Sequence, residues 1–396
     1  MSEWKTYKLG DFAEINPRIS LKQGKEYSFV EMKDLDATFK YVSPSTKKEL
    51  KGGAKFQNGD TLFARITPCL ENGKICQVKN LENNLGFGST EFLVFRGKEN
   101  ISNSDFIYYL SRSEFVKNNA IQMMTGTSGR QRVEKSALEK LEITVPDLAT
   151  QTAIAQILTS LDDKIELNLQ MNQTLEAMAQ ALFKEWFVNF NFPGFDGKLV
   201  DGLPKGWRMG KLGEMVTIKR GGSPRPIQDF MAETGLRWLK ISDVTSLNTP
   251  FVLGTKEYIK EEGLSKTTLL KTGALILSNS ATPGIPKILN VDCCIHDGWL
   301  HFPTSKFSNE FLYLQFLMLR GELVQQANGS IFTNLKTDIV REFQVPIATN
   351  DVFENFDSIV KPIFNKLLNN TLEIQTLTRT RDTLLPKLMS GKIRVA

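Results

Sequence analysis

The chain has 396 residues, 41% of them hydrophobic and 23% charged, and carries a net charge of +5 with a pI near 8.8. This composition excludes a disordered or low-complexity chain and leaves room for two or more domains with cores of their own. Four cysteines, the lack of a leader pattern and the lack of a membrane-length apolar run make a reduced, cytoplasmic protein the expectation; the mild basic excess suits a polyanionic partner without naming one.

From WKTYKLGDFAEI, beginning at Trp4, the first part of the chain is interrupted roughly every eight to twelve residues by Gly, Pro, Asn or Asp, the mark of short strands and turns. FQNGDTLFARITP, from Phe56, is a turn glycine followed by a strand-like apolar run and a polar loop. SNSDFIYYLSRSEFVKNN, from Ser102, predicts one short helix opened by a Ser or Asn cap. After EKLEITVP, ending at Pro146, comes LDDKIELNLQMNQTLEAMAQALFKEWF, from Leu161, a long helix without Gly or Pro. The stretch from Asn189 to Trp207, rich in glycine and proline, ends that helix and reads as a linker.

The order of features then starts again. GWRMGKLGEMVTI, from Gly206, places Trp207 opposite Trp4, 203 residues on. LLKTGALILSNSATP, from Leu269, matches the strand at Phe56; SNEFLYLQFLMLRGELVQQA, from Ser308, matches the short helix; IVREFQVP ends at Pro346 as EKLEITVP ends at Pro146. The chain is a tandem duplication of an α+β unit, each copy a sheet-rich domain followed by a long helix. The expected limits are 1–150 and 207–348 for the two sheet-rich domains, 151–190 for the first long helix, 191–206 for the linker and 349–396 for the second long helix and tail.

Leu158, Leu161, Ile165, Asn168, Asn172, Leu175, Ala179, Leu182 and Trp186 recur at steps of three and four, a heptad seam. Ile363, Leu367, Asn370, Ile374, Leu377, Arg381, Leu384 and Leu388 repeat it in the second copy. The two helices are expected to pair as an antiparallel coiled coil about a pseudo-two-fold axis, with Asn172 and Asn370 fixing register; the alternative is two separate amphipathic helices, each covering its own domain. Paired, they would form a spacer on the order of 45 Å, comparable to the separation of about 34 to 36 Å between major-groove sites on one face of duplex DNA.

Catalytic signatures are scarce. The chain has no phosphate loop, no dinucleotide fingerprint and no Asp- or Asn-Pro-Pro-aromatic run, and its two histidines give a nucleophile few possible partners. CCIHDGWLH gathers Cys293, Cys294, His296 and His301, but its spacing fits no zinc motif, and a strand, a turn at Asp297-Gly298 and a second strand is the better reading. Polar loops carry more promise, since Arg grips guanine or phosphate with two hydrogen bonds, Ser and Thr suit either, and glycine admits a close backbone approach. In the first copy these loops supply Arg65, Thr67, Lys74, Ser128, Arg130 and Arg132; in the second they supply Lys219, Arg220, Ser223, Arg225, Asn279, Ser280, Lys287 and Asn328. Any one such loop also reads as a solvated turn; their recurrence in both copies favours a shared binding role.

With its duplicated domains and long helices, the chain resembles the specificity subunit of Type I restriction-modification enzymes, the HsdS family; the closest resemblance lies in LDDKIELNLQMNQTLEAMAQALFKEWFV and QTLTRTRDTLLPKLMSGKIRV. The resemblance implies two target recognition domains, each reading one half of a bipartite, asymmetric double-stranded DNA target. The helices would set the spacing and hold two methyltransferase subunits, joined by restriction and translocase subunits. It also implies a non-catalytic chain without a cofactor of its own, with S-adenosylmethionine, ATP and Mg on the partner subunits, and no membrane. GGSPRP, from Gly221, resembles a Gly-Gly-Thr-Pro-like element of the family, whereas the first copy has NPRIS from Asn16, so unlike half-sites are expected. A scaffold holding two protein-binding domains, and an enzyme built on the Cys-His cluster, are the competing readings.

Overall fold

The fold was taken from a computed structural model, which describes residues 4–327 and 334–395. The chain divides into two compact units, Met1–Asn168 with Glu373–Ala396, and Leu169–Leu372. The division falls inside both long helices, so each sheet-rich repeat is completed by helix from both halves of the sequence.

In the first unit a five-stranded sheet runs in the order Ala13–Ile15, Phe92–Gly97, Thr61–Ala64, Ile75–Val78 and Tyr41–Val42. A second sheet runs Thr46–Glu49, Glu26–Val30, Leu85–Gly88 and Ala54–Gln57. The second unit repeats the first sheet with Val216–Arg220, Trp299–Ser305, Leu275–Ser278, Pro286–Leu289 and Phe251–Val252. Its other sheet runs Met231–Ala232, Glu257–Ile259, Leu236–Leu239, Cys293–Ile295 and Thr268–Leu270, one strand more than its counterpart. The parallel pairings also recur: Tyr41–Val42 on Ile75–Val78 as Phe251–Val252 on Pro286–Leu289, and Glu26–Val30 on Leu85–Gly88 as Leu236–Leu239 on Cys293–Ile295. The duplication read from scattered identities therefore extends to strand order and direction.

The apolar runs in these strands are continuous because both faces are covered. Along Thr61–Ala64, Phe63 packs with Phe12, Phe95 and Phe106, while Leu62 packs with Val30, Phe56 and Cys76. In the second unit Leu275 and Leu277 join the core containing Phe311, and Ile276 joins the one containing Leu239 and Trp299. The period of two thus sorts alternate side chains into two cores.

The single helix expected from Ser102 is two helices, Ser104–Arg112 and Glu114–Gln122. Ser113 between them is extended; its hydroxyl donates to the Leu110 carbonyl at 2.6 Å and accepts from the Val116 amide at 3.3 Å. This local cap replaces a helical bond, which is how serine breaks a helix without glycine or proline. In the second repeat Asn309–Ala327 is one helix, as expected.

The long helices, Leu148–Phe187 and Asn350–Met389, have 40 residues each. Within the first unit they run antiparallel: Asn168 donates to Glu373 at 2.9 Å, Arg381 meets Asp162 at 2.6 Å, and Leu388 shares a core with Ile154, Ala155 and Leu158. Within the second unit Asn370 donates to Asn172 at 2.9 Å, and Phe183, Trp186 and Phe187 pack on Phe356. Pairing, rather than two separate helices, is therefore what each unit contains. The Asn370 amide thus bonds to Asn172 across the seam, and Asn172 in turn donates to Thr371 at 3.2 Å, while the buried Asn370 Oδ1 has no partner among the described residues. Ile165 and Leu367 are buried; Leu161, Leu175, Leu182, Ile363, Leu377 and Leu384 are half-buried along the same seam.

One pair on the seam is charged. Arg381 and Asp162 have side chains 3% and 1% exposed, and Asp162 also accepts from the Tyr109 hydroxyl at 2.6 Å while Arg381 donates to the Thr38 carbonyl at 3.0 Å. Matching Gln173-Thr174-Leu175 to Gln375-Thr376-Leu377 makes Phe364 and Ala179 the equivalent residues in the second unit, and both lie in an apolar core. Arg381→Met leaves Asp162 buried without its counter-charge and is expected to cost on the order of 3–5 kcal/mol. The double change Asp162→Phe with Arg381→Ala should recover at least half of that loss. Chemical denaturation of the full chain, with hydrogen exchange around Tyr109, checks both; a double variant no more stable than the single one contradicts the account.

Candidate nucleic-acid interface

In the second repeat the strand Val216–Arg220 leads into GGSPRP, which lies against the turn His296-Asp297-Gly298 joining Cys293–Ile295 to Trp299–Ser305. The approach requires glycine: a Cβ on Gly221 would stand 2.3 Å from the His296 carbonyl oxygen and 2.8 Å from that of Ile295. Without one, the Gly221 amide donates to Trp299 O at 2.9 Å and the Gly222 amide to Ile295 O at 3.2 Å.

Asp297 gathers the loop. Its carboxylate accepts from the Ser223 hydroxyl at 2.7 Å and from Arg225 at 3.2 Å, with Arg220 3.9 Å away. Its carbonyl accepts from Arg220 Nε and, at 3.1 Å, from Asn279. The Ser223 hydrogen bond foremost, and then the Arg220 charge, hold the carboxyl below its ordinary range against the opposing effect of burial. Beside this cluster opens a cleft of about 1030 Å³ lined by Ser223, Arg225, Gln228, Trp238, Lys240, Ser280 and His296, among others. His296 accepts the Gly298 amide on Nδ1 at 2.8 Å, and burial lowers its pKa, so the neutral ring faces the cleft.

The first repeat builds the same turn from Ser89-Thr90-Glu91. Phe92 N–H donates to Ser89 O and Arg65 N–H to Glu91 O, as Trp299 N–H donates to His296 O and Asn279 N–H to Gly298 O. Here Glu91 holds Arg132 in a fork, with Nε 3.0 Å from both carboxylate oxygens and Nη2 at 2.7 Å from Oε1. Arg132 also donates to the Arg130 carbonyl at 3.1 Å. It belongs to a hairpin, Met124–Thr125 with Arg132–Val133, whose residues 126–130 are exposed and include Ser128 and Arg130. The neighbouring cleft, about 750 Å³, is lined by Asn16, Arg18, Ser20, Lys55, Arg65 and Thr90, among others; Arg65 pairs with Glu134 at 2.9 Å.

The loop residues expected to bind thus fall into groups. Ser223, Arg225 and Ser280 line one cleft, with Arg220 beside it against Asp297 and Lys219 exposed on the same strand. Arg65 lines the other cleft, and Ser128, Arg130 and Arg132 share the hairpin beside it. Three assignments need correction. Lys287 is buried, its ammonium turned inward onto the Leu247 and Thr249 carbonyls, and burial lowers its pKa to about 8. Thr67 is buried, with its hydroxyl accepting from Gln131 N–H at 3.1 Å. Asn279 is buried beneath the turn, where it supports Asp297. Lys74, half-buried, donates to the Met32 carbonyl at 2.8 Å. Asn328 lies outside the described residues.

The Cys-His cluster does not converge. Cys293 and Cys294 enter different cores, and burial pushes their thiols up to about 12 and about 11. His301 is buried in its strand, away from the turn that carries His296. Reasoning from sequence passed over Glu91 and Asp297. The available signal was an acid in each copy one or two residues before the aromatic residue, Phe92 or Trp299, that opens the next strand.

Comparison with known proteins bears on this arrangement. Residues 1–177 and 204–373 match the Type I restriction modification DNA specificity domain, one match per repeat. The chain is 28% identical to the specificity subunit of the Type I restriction enzyme HindI of Haemophilus influenzae, across 99% of this chain and all of that one. It is 26% identical to the MjaIX specificity subunit of Methanocaldococcus jannaschii, across 99% and 94%. The S subunit of the Type I restriction-modification system of M. genitalium has the same fold, with a TM-score of 0.61 at 16% identity over 98% of this chain and 96% of that one. Two matched repeats that fill most of the chain, each with the same sheet order and the same turn, place this protein in the family of Type I restriction-modification specificity subunits.

Proposed function

We propose that each repeat reads one half of a bipartite, asymmetric double-stranded DNA target, through the loop and turn at its cleft. The observation that carries this reading is the turn itself: the same backbone geometry recurs in both repeats, flanked by arginines, but with different side chains. A shared scaffold with unlike reading groups is what two unlike half-sites require. The paired helices are the surface on which two methyltransferase subunits dock, and restriction and translocase subunits complete the assembly. S-adenosylmethionine, ATP and Mg belong to those partners, and this chain contributes recognition rather than catalysis. A scaffold for two protein ligands leaves the recurrent arginine-bearing turns without a role.

Selection from randomised duplexes by the chain assembled with its methyltransferase partners should return two short, different words separated by a gap of constant length. A single uninterrupted palindrome would overturn the reading, since two unlike domains do not read one symmetric word. Replacing residues 1–150 with the corresponding domain of another specificity subunit should change one word and leave the other intact. Methylation mapping of the host genome reads this out, and a change in both words would contradict independent reading by the two repeats.

A further inference from the structure

The carboxylates at the two equivalent turns are out of place on a surface that meets DNA. A negative charge among arginines weakens attraction to phosphate, and the ion pairs it forms are exposed: the Arg225 side chain is 79% exposed and that of Arg132 39%. Exposed pairs of this kind add little to stability, so fold maintenance alone does not account for an acid at the same turn in both repeats. Their geometry does more. Glu91 engages Arg132 through Nε and Nη2, and the Arg130 carbonyl takes Nη1. Of the five guanidinium N–H groups this uses three and leaves two, one on each terminal nitrogen. Two donors left on a guanidinium held by three hydrogen bonds match the paired acceptors on the major-groove edge of a base. The Asp297 carboxylate likewise takes one terminal nitrogen of Arg225, whereas Arg220 is held through Nε by the Asp297 backbone carbonyl, which a side-chain substitution leaves in place.

We infer that Asp297 and Glu91 are positioning residues for base readout, holding Arg225 and Arg132 respectively in the orientation that contacts a base edge. The inference rests on the half-site reading proposed above. It adds that discrimination at each half-site depends on a residue that itself touches no base, and that the two repeats solve this in different ways. Asp297 at the middle of its turn serves the GGSPRP loop, whereas Glu91 at the end of its turn serves the hairpin carrying Arg132.

The test uses the full chain assembled with its methyltransferase partners and a duplex library carrying two randomised segments. Asp297→Asn and Asp297→Ala should lower preference at one or more positions of a single word by about ten-fold, the scale of a lost bidentate base contact, and leave the other word sharp. Glu91→Gln and Glu91→Ala should do the reverse. Affinity for non-target duplex should stay level or rise, because a negative charge near the phosphates has been removed. The unaffected word reports that the variant is folded and assembled. Asp297→Glu should restore part of the lost preference, and Arg225→Lys, which leaves the turn intact but removes the fork, should blur the same word as Asp297→Asn. Both words remaining sharp in every variant would overturn the inference. So would a uniform fall in affinity with unchanged words, which would mean that the arginines meet phosphates, or the joint loss of both words with a lowered melting temperature, which would mean a structural role. If the unaltered chain selects no split target, it is the proposed function that fails.

Discussion

The buried pairing of Asp162 with Arg381 expresses the constraint on which the first unit depends. The N-terminal repeat ends its core on a helix seam whose second strand arrives from the far end of the sequence, with Leu388 among Ile154, Ala155 and Leu158. The second repeat has the same need, met by Phe183, Trp186 and Phe187 from the end of the first long helix. Neither repeat closes its core with a contiguous stretch of chain. Contacts of such long sequence separation are slow to form, and they make each recognition domain dependent on the helices that carry it.

The two units meet this constraint with different chemistry at equivalent places, a charge pair in one and Phe364 with Ala179 in the other. That difference makes the seam directional. A seam built from two copies of the first helix would set Asp162 against Ala179, and one built from two copies of the second would set Arg381 against Phe364. Each leaves a buried charge unpaired, which is far costlier than either native arrangement. The Asn172–Asn370 pair adds a register lock, since a one-residue slip would strand both amides.

What could be read from the sequence follows from what is local or periodic. The duplication, the seam residues from Leu158 to Trp186, and the strand and turn of CCIHDGWLH were all legible, because a period or a turn glycine marks each of them. Other features are set by distant parts of the chain. Lys287 looked like a surface cation because nothing beside it in sequence shows that the Leu247 and Thr249 carbonyls will close over its ammonium. Thr67 was taken from the mouth of a polar loop by the hairpin at Gln131, 64 residues on. Ser113 breaks its helix by a hydroxyl cap, which leaves no glycine or proline to notice. Asp297 and Glu91 were hidden for the opposite reason: an acid in a turn is the most ordinary residue for solvent, and only the backbone bonds shared by the two repeats set these two apart.

The modest charge of +5 acquires a physical meaning at this point. A surface built for affinity alone would leave its arginines unpaired and collect counterion-release energy from every phosphate within reach. Here Arg65, Arg132 and Arg225 are paired with carboxylates, which weakens that sequence-blind attraction and removes rotamer freedom before any duplex arrives. Less ordering entropy then opposes each base contact, while binding to arbitrary DNA gains nothing in return. A recognition subunit needs the difference between those two affinities to be large rather than either one to be maximal, and on the inference above the acids paired with Arg132 and Arg225 shift that difference in the right direction.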